Sequence, residues 1–253
     1  MSARFTDKTV LVTGAGSGIG RAVALAFAAE GASVVLSGRG AAPLEETRAL
    51  IAAAGGDSLV VTADVSRAAD VQALVRTAVD RFGGLDVAVN NAGIFRGGVP
   101  IADLPVEDWQ ALLDINVTGV LHCLQAEIAH MRANGGGSIV NVSSNLGAHM
   151  RIPNVAGYLT SKAAVSTLTR AAALDHVRDG VRINAVSPGA SDTTMSLRSG
   201  ETAADRTARM KEESPLGRVS TTEEVAAAVL YLASPDAASV VGADLVVDGG
   251  AAA

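Results

Sequence analysis

Short β-branched runs alternate along this chain with longer stretches whose apolar residues recur at helical spacing. Lys8–Thr13 reads as a strand, Thr13–Gly20 as a glycine-rich turn and Arg21–Glu30 as an alanine-rich helix. The alternation repeats with strands over Ser33–Ser37, Ser58–Thr62 and Asp86–Asn90, and helices over Ala42–Ala54 and Arg67–Phe82. A long helical stretch, about Val106 to Ala133, leads through Gly135, Gly136 and Gly137 into the strand Ser138–Val142. A helix of about 157–179 follows, then a strand over Val181–Val186, ending at Pro188 and Gly189. The polar stretch Ser191–Ser214 is the least regular and predicts short helices over a site. Thr221 with Glu224 forms a capping box that starts a helix to about Ala233. Ala243–Val247 is the last strand. Strands separated by helices of this length predict right-handed crossovers and a parallel, doubly wound α/β sheet with helices on both faces. One domain over residues 1–253 accounts for the whole pattern.

Composition narrows the function classes. With 49% hydrophobic residues the chain can bury a large core. Its net charge of −6 comes without a block of like charge, so the footprint of a nucleic-acid binder is missing. No apolar run reaches the ~18 to 20 residues of a spanning helix. Met1–Asp7 runs straight into the first strand and leaves no room for a signal peptide. The single cysteine, Cys123, excludes an intrachain disulfide and fits a reducing cytoplasm; its apolar neighbours make it a buried filler. His122, His130, His149 and His176 are scattered, so no metal site is expected.

Two patterns carry chemistry. Tyr158 and Lys162 lie four residues apart in a helical run, on one face. A free phenol titrates near pKa ~10, so work near neutrality needs a shift of roughly 3 units, about 4 kcal/mol. One cation about 4 Å away at an effective dielectric of ~20 supplies about that much. The second pattern is the turn itself, which aims unpaired backbone N–H groups and a helix dipole at one point, suited to a phosphate. Its spacing departs from the generic dinucleotide fingerprint, because Ile19 stands where a third glycine would follow Gly14 and Gly16.

Taken together, Thr13–Gly20, Asn90-Asn91-Ala92-Gly93, Asn116, Ser143-Ser144, Tyr158 with Lys162, and Pro188-Gly189 stand in the order of the short-chain dehydrogenase/reductases. The resemblance covers essentially the whole chain. It implies a Rossmann-like seven-stranded parallel sheet with a dinucleotide across the carboxyl ends of the strands. Tyr158 is then the general acid/base, and Lys162 lowers its pKa and holds the nicotinamide ribose. Ser144 donates to the substrate oxygen, and Asn116 anchors a water in a proton relay. The family's Ser-x-x-Gly pattern fits Ser144 with Gly147, whereas Ser143 has Leu146 at that offset.

Cofactor contacts implied by the resemblance are Gly14, Gly16, Ser17, Gly18, Ile19, Gly20, Asp64, Val65, Asn90, Ala92, Gly93, Pro188, Gly189, Ser191 and Thr193, besides Tyr158 and Lys162. At the end of the second strand Gly38 stands where an NAD enzyme carries a carboxylate, and Arg39 follows with a fork suited to a phosphate. This resembles the NADP-preferring branch, with NAD(H) the alternative. Substrate-side positions are Ser144, Asn145, Leu146, His149, Asn154, Tyr158 and Arg96, with Ile94, Phe95 and Met150 beside them. The implied activity is an NADP(H)-dependent carbonyl reductase or secondary-alcohol dehydrogenase acting on a small molecule. The alternatives are an NAD-dependent alcohol or sugar dehydrogenase, and a 3-oxoacyl-carrier-protein reductase, favoured by an anion-binding Arg96. A dinucleotide sensor would have no use for the phenol. The resemblance also implies a homotetramer packed through the long helices.

Overall fold

The computed structural model describes residues 3–253; Met1 and Ser2, and with them part of the Met1–Asp7 expectation, lie outside the described residues. The chain runs β1 (Thr9–Thr13), α1 (Gly18–Ala29), β2 (Ser33–Gly38), α2 (Ala41–Ala53), β3 (Ser58–Thr62), α3 (Ala68–Phe82) and β4 (Val87–Asn90). It continues through α4 (Val106–Leu113), α5 (Gly119–Ala133), β5 (Gly137–Val142), α6 (Ala156–His176), β6 (Val181–Pro188), α7 (Ala203–Glu213), α8 (Thr222–Ala233) and β7 (Asp244–Val247). All strands are parallel in one sheet, order β3-β2-β1-β4-β5-β6-β7.

Both faces are covered, and the strands alternate between two cores. Val10, Val12, Val34, Leu36, Val87, Val89, Val140 and Val142 pack with α1 and α8. Leu11, Val35, Ala88, Ile139 and Ile183 point the other way, against α3, α5 and α6. Successive strand residues face opposite sides, so a strand buried on both must be apolar throughout. Strand order reverses between β1 and β4, which opens a crevice at their carboxyl ends.

The long helical stretch is not one helix. Asp114–Thr118 forms a single π-helical turn between α4 and α5, and Asn116 lies in it, fully buried. Local spacing predicts continuity, because a π turn keeps the helical appearance of the sequence while shifting the register of the side chains. The Thr221–Glu224 capping box forms as expected, and Thr202 with Asp205 makes a second one at the start of α7. Cys123 is buried, and desolvation pushes its thiol up.

One buried carboxyl falls outside the site. Glu127 on α5 is fully buried, and its pKa is raised to about 7 by desolvation, opposed by the Asn90 amide, which donates to it at 3.0 Å. Glu127 Oε1 and Asn90 Oδ1 have no partner. A folded pKa above the unfolded value of 4.5 gives stability that is full below pH 4.5 and lost as pH rises through about 7. Glu127→Gln removes the titration while keeping an acceptor for Asn90. Thermal melts from pH 5 to 8 should therefore show a flatter profile for the variant, with a gain of up to about 3 kcal/mol at pH 8. Parallel profiles in both proteins would show that Glu127 does not titrate in this range.

Candidate active site

Tyr158 and Lys162 lie in the first two turns of α6 and are both buried. The loop from β5 lies against this helix at Gly147, whose φ is 128°; a Cβ there would stand 2.8 Å from Leu159 O and Ala163 N. Only glycine permits both that backbone and that approach. The phenol meets Phe95 edge-on, ring centroids 5.0 Å apart.

The four-residue spacing does put the phenol and the ammonium on one face, yet their electrostatics differ from the sequence expectation. Lys162 Nζ donates to the Val142 carbonyl at 2.9 Å and sits 5.9 Å from the Tyr158 ring centroid. Burial lowers the Lys162 pKa to about 8. Burial also raises the Tyr158 pKa, with the Ser144 hydroxyl opposing. The expected depression of the phenol by Lys162 is thus absent in the chain by itself. Desolvation, which disfavours both charged forms, outweighs an ammonium already held by a carbonyl.

The two serines separate cleanly. Ser143 Oγ donates to the Lys162 carbonyl at 2.9 Å and meets Ser166 at 3.0 Å, turned into α6. Ser144 Oγ accepts from the Leu146 amide at 3.1 Å and lies 3.5 Å from the Pro188 carbonyl, at the end of β6. Asn116 clamps the loop after β4: Oδ1 accepts from Ile94 N at 2.8 Å, while Nδ2 donates to Ile94 O and to Ser161 Oγ, each at 3.0 Å.

Thr13, Gly14, Ser37, Gly38, Arg39, Asp64, Val65, Ala92, Gly93 and Ile94, at the switch in strand order, enclose a cavity of about 170 Å³. Asp64 accepts from Ser66, which lowers its pKa, and Arg39 adds to that effect. The buried Ser37 Oγ has no partner, an unusual state for a buried hydroxyl and one that a ligand in this cavity would relieve. Gly16 and Ser17 lead into α1, whose first turn holds Gly18, Ile19 and Gly20. A second cavity, about 420 Å³ between α3 and α5, contains none of the expected site residues.

Asn90 does not reach the cavity. It is buried, and its amide donates to Glu127 and Asn141, because alternation on β4 turns it towards α5. Its neighbour Asn91 instead fastens the glycine turn, donating to Thr13 O at 2.9 Å, while Thr13 Oγ1 accepts from Asn91 N and Ala92 N. Both Thr13 and Asn91 belong to the sequence motifs, but nothing local assigns them this role.

The substrate-side expectations divide similarly. Leu146 and Met150 bridge across the turn of the loop. His149 Nε2 approaches the buried Asp244 Oδ2 on β7 to 3.0 Å, without the alignment of a hydrogen bond, which turns the ring towards β7. Asn145 Nδ2 donates to Asp248 at 3.1 Å, a second tie between this loop and the chain around β7. Arg96 pairs with Asp108 at 3.3 Å. Asn154 is exposed with φ 66°, and its carbonyl accepts from Gly98 N at 2.7 Å. At the far rim, Ser191 Oγ donates to the Gly189 carbonyl, and Ser191 pairs in a bridge with Ser220. Among the described residues no group of side chains could hold a metal, and no helix is long and apolar enough to cross a membrane.

The family described as enoyl-(acyl carrier protein) reductase matches residues 14–252. A cis-4-hydroxycyclohexanecarboxylate dehydrogenase of Sinomonas cyclohexanicum is 42% identical over 250 residues, 99% of this chain and 98% of that protein. A cyclohexanol dehydrogenase of Acinetobacter sp. (strain SE19) is 39% identical, covering 98% of this chain and 96% of that protein. A solved short-chain dehydrogenase from Burkholderia cenocepacia J2315 in complex with NADP superposes with a TM-score of 0.90 at 34% identity, over 99% of this chain and 100% of that one. A 7α-hydroxysteroid dehydrogenase complexed with NADH and 7-oxo glycochenodeoxycholic acid gives a TM-score of 0.91, also at 34% identity, over 98% of this chain and 96% of that one.

Proposed function

The chain belongs to the short-chain dehydrogenase/reductases, NAD(P)-dependent oxidoreductases of CH–OH and C=O groups, and from that premise we propose that it interconverts an alicyclic secondary alcohol and its ketone with NADP(H). The observation that carries the reaction is the convergence of Ser144, Tyr158 and Lys162, all buried, where β5 and β6 end. The dinucleotide, when bound, supplies or accepts the hydride.

The chain's own groups do the rest. Tyr158 gives its proton to the carbonyl oxygen in reduction and takes it back in oxidation, while Ser144 donates a hydrogen bond to the same oxygen. Burial keeps the phenol protonated, and Lys162, with a pKa of about 8, is mainly charged at pH 7. That is the protonation state in which Tyr158 serves as the acid. Lys162 also holds the ribose hydroxyls, and Asn116 orders the route by which a proton reaches the lysine.

Arg39 supports NADP(H). Among the described residues it has no ion-pair partner, it lines the cavity with the orphaned Ser37 hydroxyl, and Gly38 supplies no carboxylate to repel a 2′-phosphate. An alicyclic substrate is supported by Phe95 set against Tyr158, and by the two cyclohexane-ring relatives. The acyl-carrier reading leaned on Arg96, which Asp108 engages. The chain is further read as a cytoplasmic homo-oligomer, a tetramer by family resemblance. Exposed Leu121 on α5 and Leu174 on α6, the latter 78% exposed, offer packing faces.

The test is coenzyme turnover by absorbance, NADPH beside NADH, against cyclic ketones, open-chain sugars and 3-oxoacyl thioesters. Turnover of cyclic ketones with NADPH is expected. Turnover confined to sugars or thioesters would overturn the substrate class, and preference for NADH would overturn the coenzyme.

A further inference from the structure

The segment between β6 and α7 crosses the mouth of the dinucleotide crevice, and one buried arginine holds it there. Thr193 lies on the glycine turn: a Cβ placed on Gly18, φ 51°, would meet Thr193 Cγ2 at 3.0 Å. Arg206, on α7, donates through Nη1 to the Thr193 carbonyl at 3.0 Å and to Ser196 Oγ at 2.9 Å, and through Nη2 to Asp192. Ser196 Oγ in turn shares its one proton between the Ser191 and Thr193 carbonyls, at 2.6 and 2.9 Å. The Arg206 side chain is 6% exposed, whereas that of its partner Asp192 is 63% exposed. A buried cation committed to one short segment fixes that segment's backbone, because unmaking the hydrogen bonds would leave the charge without partners.

The end of the cover nearest β6 is pinned separately. Asp192 N donates to Ser220 O and Ser220 N to Ala190 O, at 2.9 and 3.0 Å. A second arginine on the same helix, Arg209, pairs with Glu201 at 2.7 Å, within the segment, and with Glu213 at 3.1 Å, and also donates to the Ser196 carbonyl at 3.2 Å; it makes no hydrogen bond to Thr193. Arg209 therefore braces the cover internally. Of the two arginines, Arg206 is the one that ties α7 to Thr193, the residue that touches the glycine turn. The Arg206 Nε has no hydrogen-bond partner, so the hold on the segment runs through the two terminal nitrogens.

We propose that Arg206 is a positioning residue that holds Thr193 over the glycine turn and so closes the nicotinamide end of the dinucleotide cleft. The proposal rests on the dinucleotide reading above. It places the effect on coenzyme release, with no preference between NADPH and NADH, since the adenosine end of the crevice lies at Arg39.

The test is a double-mutant cycle of Arg206→Met and Thr193→Ala on coenzyme affinity and dissociation rate, with Arg206→Lys and Arg209→Met alongside and melting curves for every variant. Arg206→Met should weaken both coenzymes by the same factor, about tenfold, through faster dissociation, which is the scale of one charge-assisted hydrogen bond. Arg206→Lys should recover part of that. The double variant should be no weaker than the weaker single, since Arg206 acts through Thr193. Arg209→Met should lower the melting temperature while leaving coenzyme affinity within about threefold. Additive effects, or an equal loss of affinity in Arg209→Met, would reduce Arg206 to a structural brace and overturn the proposal. Absence of dinucleotide binding by the unmodified protein would overturn the functional reading itself, whereas intact binding by both the unmodified protein and Arg206→Met would overturn the positioning role alone.

Discussion

Tyr158→Phe should lower kcat by about three orders of magnitude while leaving coenzyme affinity within about threefold, because it deletes a proton donor and little else. The ring packs edge-on against Phe95 at 5.0 Å, an arrangement phenylalanine keeps. Burial raises the phenol's pKa, so the folded chain holds a neutral hydroxyl ready to protonate a carbonyl oxygen, and without it the nascent alkoxide has no donor but Ser144. The measurement is steady-state turnover beside coenzyme titration and thermal melting of both proteins. Retention of kcat within about tenfold, with the fold intact, would remove Tyr158 from the reaction.

The second large effect concerns the coenzyme. Arg39→Ala should weaken NADPH by about 2 to 3 kcal/mol, roughly 30- to 150-fold, with NADH nearly unchanged, since one guanidinium fork on a phosphate is worth about that much. Gly38→Asp provides the complementary test. Gly38 does not have the positive φ that would strain another residue, and a Cβ there meets nothing nearer than Leu44 Cδ2 at 3.6 Å, so the aspartate fits without rearrangement. It should repel the 2′-phosphate and accept from the ribose hydroxyls, moving preference towards NADH. Equal losses for both coenzymes in Arg39→Ala would mean that the arginine supports the cavity wall near Asp64 and does not read the phosphate.

Much of this was legible along the chain because it is local. Period-two and period-3.6 patterns are written in neighbouring residues, so the order of strands and helices, the parallel sheet and both faces of the core followed from them, with element ends displaced by up to three residues. The glycine turn, the Thr221 cap and the shared face of Tyr158 and Lys162 are likewise short-range facts, and they stand. What needed the tertiary structure is where a side chain's partner comes from a distant element. Asn90 turns to Glu127 on another helix, His149 to Asp244 on the last strand, and Arg96 to Asp108. The phenol's pKa follows burial and not the lysine four residues on, because desolvation depends on everything packed around a group. Arg206 shows the same limit, since in sequence it is one arginine of a polar helix, and only packing puts its guanidinium beneath Thr193.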